Sequence, residues 1–169
     1  MNFYASETYK DETSIEIAGQ EFADLTYTEG SPDLSAGGVI AGVDFTPTAT
    51  VANQTFGIID STVDLANIES GYGFDGGKGY FENTTIQNAV KGAVFLNDGT
   101  YTFKDVTFQD NKNSTNNLGG AIYAKGNTTI IGGKFVNNTT TSHGGAIYNT
   151  NAKYTLTVTG TEFIRNNSV

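Results

Sequence analysis

GGAIYAKGNTTIIGGKFVNN (residues 119–138) is followed by GGAIYNTNAKYTLTVTGTEFIRNN (residues 144–167), and the two share one plan. Each opens on a glycine pair, runs into a short apolar-polar alternation, and closes on Phe-x-x-Asn. Glycine suits backbone angles closed to other residues, and asparagine tolerates the same corners. Thr, Val, Ile, Tyr and Phe between them suit a pleated surface. A turn, an apolar slot and a second turn are specified repeatedly, which favours stacked coils over a globule with one unique centre.

The Phe-x-x-Asn phenylalanines, Phe108, Phe135 and Phe163, anchor an internal alignment. Five positions before them stand Phe103, Ile130 and Val158, all apolar. The same offset upstream relates Phe81 to Ile86 and Ile58 to Val63. The anchors Val63, Ile86, Phe108, Phe135 and Phe163 are 23, 22, 27 and 28 residues apart. Val94, Ile122 and Ile147 form a second series behind Gly-Ala or Gly-Gly-Ala, and Ile40, behind Gly37-Gly38-Val39, reads as a looser copy. Three short strands per unit of this size predict an all-β chain: a right-handed parallel β-helix of about six coils, roughly 29 Å long at the sheet spacing. Each inward Phe or Ile contributes about 1.5–3 kcal/mol on burial. Asn111, Asn138 and Asn166 are expected at one corner, each amide bonding the next coil. Ile86 departs, with Ala89 in that place and Asn88 one residue before it. No sustained helical period is present.

The chain has 169 residues and a net charge of −9, with no cysteine and no tryptophan. Residues 1–36 hold eight acids against Lys10 alone, and the remainder carries ten acids against eight bases. The expected division is an acidic N-terminal β cap, 1–36, and coils over 37–169. Charge on the cap discourages end-to-end stacking. Without a basic stripe, nucleic acid and anionic membrane surfaces are not expected partners. Disulfides and thiolate metal sites are excluded. No apolar run of about 18 residues is present to span a bilayer as a helix. The N-terminus lacks the basic and apolar regions of a signal peptide.

Gly119-Gly120-Ala121-Ile122 and Gly144-Gly145-Ala146-Ile147, alternating with Phe108–Asn111, Phe135–Asn138 and Phe163–Asn166, resemble the repeats of chlamydial polymorphic membrane proteins and of related adhesin-like surface proteins. The resemblance covers roughly residues 80–169. It implies an autotransporter passenger displayed at the cell surface or outer membrane, secreted and used for adhesion to a host-cell or extracellular glycan or protein. No translocator barrel is present in the sequence, and the chain stops just after a repeat. Residues 1–169 are therefore expected to be the N-terminal part of a longer passenger, with membrane attachment through a part not contained here.

Parallel β-helices also carry polysaccharide lyases and hydrolases, whose sites need converging carboxylates. Asp60, Asp64, Asp75, Asp105 and Asp110 are the candidates, read as a solvated surface; no catalytic residue is assigned. His143 lacks a second imidazole or thiol and makes no metal site. No Gly-x-Ser-x-Gly elbow occurs. Gly71–Asn83 (GYGFDGGKGYFEN) fits neither a P-loop nor a tandem calcium-binding array, and reads as a corner or loop of a coil. No cofactor is expected. Seven Asn-x-Ser/Thr triplets, at Asn53, Asn83, Asn113, Asn127, Asn137, Asn138 and Asn166, follow from an Asn- and Thr-rich composition. If Ile122 and Ile147 point inward, Tyr123 and Tyr148 point outward with Phe95 in register. That row is the candidate ligand-binding surface, because flat aromatics stack on sugars or anchor partners. A structural spacer is the remaining alternative.

Overall fold

A computed structural model describes residues 1–48, 50–92, 94–114, 118–150 and 152–169. Those residues contain strands, turns and bends and no helix, so none is long and apolar enough to cross a membrane. The strands wind into a parallel β-solenoid of about seven turns, one more than the sequence predicts. The extra rung comes from the acidic N-terminal segment: Asn2–Ala5 pairs in register with Gly38–Ala41.

Two inward columns hold the coils together. Tyr4, Ile40, Ile58, Phe81, Phe103, Ile130 and Val158 stand in successive register on the large sheet. Phe45, Val63, Ile86, Phe108, Phe135 and Phe163 stand likewise on a second, six-stranded sheet. Phe108 and Phe135 stack with centroids 4.6 Å apart and planes 4° apart; Phe135 and Phe163 follow at 5.0 Å and 4°. The separations match the spacing between paired strands, so each ring lies flat on its counterpart. The expected column of like over like is therefore present.

Ile40 departs from the sequence reading. It aligns with Ile58, whereas Val94, Ile122 and Ile147 align with Tyr72 in a different column. Backbone angles explain the difference. Gly37 and Gly38 both have positive φ, 75° and 122°. In the true repeats only the first glycine does, Gly119 at 82° and Gly144 at 73°. A Cβ on Gly120 would collide with the Gly145 carbonyl oxygen, so the second glycine is fixed by the approach of the next coil. Ala93, which precedes Val94, lies outside the described residues.

Two segments expected as separate short strands are continuous: Val94–Lys104 and Ile122–Ile131 each run through the bend. Asp98 and Gly99 adopt positive φ, 48° and 73°, and form a bulge where the pairing register shifts between Asn97 and Thr100. Tyr101 is fully buried beside it, its hydroxyl donating to the carbonyls of Gly76 (3.1 Å) and Asn97 (3.2 Å). A Cβ on Gly126 would lie 2.9 Å from its ring, so that glycine makes the space. Gly71–Asn83 contains the strand Tyr72–Asp75, a turn at Gly76-Gly77 and the strand Lys78–Glu82, and so forms one coil corner.

The N-terminal segment also supplies the antiparallel hairpin Ile15–Ile17/Gln20–Phe22. It packs on the outside of the large sheet, where Ile17 and Phe22 join Phe3, Val39 and Tyr80 in a second small core. Gly57 makes room for it, since a Cβ there would lie 2.6 Å from Ile17 Cδ1.

Candidate ligand-binding face

The strands Val94–Lys104, Ile122–Ile131 and Ile147–Asn149 place Phe95, Tyr123 and Tyr148 at equivalent positions. Ile122 beside them is fully buried, so the neighbouring row faces outward, and all three aromatics are half-buried. Phe95 meets Tyr123 edge to face at 5.9 Å and 80°; Tyr123 and Tyr148 are tilted by 43° at 6.0 Å. His143, in the turn before that last strand, lies edge-on to Tyr148 at 6.2 Å. Lys125 Nζ sits 5.9 Å from the Tyr123 ring centre. None of these pairs is a parallel stack, so the rings do not cover one another face to face.

The row ends at Gly73, which pairs with Phe95. With no side chain there, a groove of about 290 Å³ opens beside Phe95, with Thr50, Ser70, Asp75 and Asn97 among its walls. Asn97 Nδ2 donates to Asp75 Oδ1 at 2.8 Å. Sequence reasoning named Asp75 only as a candidate carboxylate and missed Thr50, Ser70, Asn97 and the groove that they form. The signal was present, because Gly73 precedes Phe95 by 22 residues, one coil, in the same outward phase.

The candidate carboxylates other than Asp75 serve corners. Asp60, Asp105 and Asp110 have positive φ of 49°, 52° and 55°. Asp60 accepts from Asn83 at 2.6 Å and from the Tyr9 hydroxyl, whose pKa the contact pushes up to about 12. Asp110 accepts from Asn137 at 3.1 Å. Asp64 accepts the Ala66 N–H and the amides of Asn88 and Gln87, which together hold its carboxyl below the usual range. Among the described residues no three His, Asp or Glu side chains are placed to hold a metal ion.

The repeat residues themselves build the corner at Asp110. Asn111, Asn138 and Asn166 stack, and each side-chain amide also donates to a carbonyl one coil earlier, those of Ile86, Phe108 and Phe135. Ala89 occupies the same place below and contributes only its N–H, to Asn111 Oδ1 at 3.1 Å. Asn138 is fully buried, so its Asn-x-Thr triplet is closed to modification in the folded chain. The last residue of the Asn113 triplet, Thr115, lies outside the described residues.

Residues 105–125 and 126–150 match the family model of the Chlamydia polymorphic membrane protein repeat. The chain thus carries repeats of that kind over two successive coils. No curated protein and no solved structure matches the chain.

Proposed function

We propose that this chain is a non-enzymatic binding module of a surface-displayed, adhesin-like protein, held at the outer membrane or cell exterior as the polymorphic membrane protein repeats imply. Its outer sheet face engages a host-cell or extracellular glycan or protein. The observation that carries the reading is the outward row Phe95–Tyr123–Tyr148, built on successive coils. A solenoid presents such a row at a fixed pitch, and many modest contacts along it add into avidity. The engagement of Asp60, Asp64 and Asp110 in hydrogen bonds to neighbouring amides also favours binding over hydrolysis or elimination.

Beads coated with the chain are expected to adhere to epithelial cells. Changing Tyr123 and Tyr148 to Ser together should lower that adhesion by about tenfold or more, as loss of central aromatic anchors does. The double variant should melt close to the parent, because both rings lie outside the column core. Adhesion unchanged by the double substitution would overturn the reading, and absence of adhesion by the parent would leave a spacer.

A further inference from the structure

We propose that the groove beside Phe95 is a subsite for one neutral pyranose ring of an oligosaccharide, a proposal that rests on the surface-binding reading above. Three features of the groove converge on that chemistry. Its volume, about 290 Å³, suits a single small ring rather than a folded partner. One wall is an aromatic ring, against which the C–H face of a sugar packs. Beside it lies a polar set with spare capacity. Asp75 Oδ1 accepts from Asn97, and no other hydrogen bond reaches the Asp75 side chain among the described residues. The hydroxyls of Thr50 and Ser70 likewise make no hydrogen bond there, so they are available to sugar hydroxyls.

Charge selects within the class. No lysine or arginine lines the groove and Asp75 does, so a sulfate, phosphate or carboxylate group placed in it meets repulsion; Lys125, the cation on the row, stands outside it beside Tyr123. A neutral hydroxyl pair can donate to the carboxylate instead. Position gives the direction of the chain. A second groove of about 270 Å³ shares Thr50, Ser70 and Gly71 with the first, on the side away from Tyr123. On the other side Tyr123 and Tyr148 carry the aromatic row two coils further, about 10 Å at the sheet spacing. The pyranose site therefore lies within a track along the solenoid axis, long enough for a short oligosaccharide.

The test is titration of the isotope-labelled chain with two neutral probes, cellotetraose and N-acetyllactosamine, and with a heparin tetrasaccharide, followed by amide chemical shifts. A neutral probe is expected to give saturable shifts at Gly71–Asp75 and Val94–Asn97, with no saturable response to heparin. Phe95→Ala and Asp75→Asn should each weaken the affinity by about tenfold. Gly73→Val should abolish the shifts by filling the groove, and its backbone angle does not require glycine. No saturable shift with either neutral probe, preference for heparin, or an affinity indifferent to Phe95→Ala would overturn the proposal. The same variants in the bead assay separate the two readings. Cell adhesion that survives Gly73→Val, with no saccharide shift in the parent, sinks the groove and spares the adhesin. Saccharide shifts in a chain that adheres to nothing sink the adhesin and spare the groove.

Discussion

The side-chain amide of Asn111 donates to Asn138 Oδ1 at 2.9 Å, and the same oxygen accepts the Asn111 backbone N–H at 3.3 Å. Asn138 repeats the gesture toward Asn166, at 2.8 and 3.0 Å. Both Asn111 and Asn138 are buried, and no buried side-chain polar atom among the described residues lacks a partner. Truncating Asn138 to Ala strips an acceptor from Asn111 and a donor from the Phe108 carbonyl. Each buried polar group left unpaired costs about 1–3 kcal/mol. Asn138→Ala is therefore expected to lower stability by about 2–4 kcal/mol in urea unfolding. A loss below about 1 kcal/mol would mean that water replaces the ladder.

Phe135 lies between Phe108 and Phe163 with both ring faces covered, and it is fully buried; Phe163 has one neighbour and is 51% exposed. Removing the ring should thus cost unequally. Phe135→Ala is expected to lose about 3–5 kcal/mol, and Phe163→Ala markedly less. Phe135→Asp should unfold the C-terminal coils outright, since it buries a carboxylate between two phenyl rings. Equal losses at Phe135 and Phe163 in thermal melts would contradict the column as the source of stability.

The columns were legible because their signal repeats. Phe108, Phe135 and Phe163 recur with the same flanks, and every copy reinforces the alignment. The register of Ile40 was not, because a glycine pair alone does not say which glycine turns left-handed and which is merely crowded by the next coil. The N-terminal segment read as β, but its pairing into a rung and an outer hairpin was illegible for a related reason. They occur once, and their packing against Gly57 and Tyr80 depends on residues dozens of positions away. The groove beside Phe95 is formed by a missing side chain, Gly73, and residue-type patterns register what is present.

The third position of Phe-x-x-Asn is a left-handed residue in every described copy: Asp110, Asn137 and Arg165 have φ of 55°, 55° and 51°. Asn and Asp tolerate that conformation, and β-branched residues do not. Asn137 also receives Arg165 Nε at 2.8 Å and donates to Asp110 at 3.1 Å, bonds near the surface that contribute modestly. Asn137→Gly is expected to stay within about 1 kcal/mol of the parent, because glycine offsets the lost bonds by freeing the backbone angle. Asn137→Val should fall below the glycine variant by about 1–2 kcal/mol. Chemical denaturation of the two variants side by side measures the difference; a valine variant as stable as the glycine one would show that the corner relaxes.

Glu82 fastens the outer hairpin to the solenoid. Its Oε2 accepts the Ala18 N–H at 2.7 Å and its Oε1 accepts from Lys104 Nζ at 2.8 Å. Partial burial raises its pKa, and the two donors outweigh that effect, so the carboxyl is held below the usual glutamate range. A folded-state pKa below the unfolded one, about 4.3, stabilises the fold above that value. The contribution disappears as pH falls through the folded pKa, when protonation removes the charge that both donors engage. Between about pH 6 and pH 2.5 the Ala18 amide resonance should therefore move along one titration curve centred below the ordinary glutamate value. Glu82→Gln should abolish that curve and loosen the hairpin at neutral pH, seen as faster amide exchange at Ile15–Phe22 with the coil columns still protected. An Ala18 resonance that ignores pH in the parent, or a hairpin equally protected in the variant, would place the fastening in the apolar contacts of Ile17 and Phe22 alone.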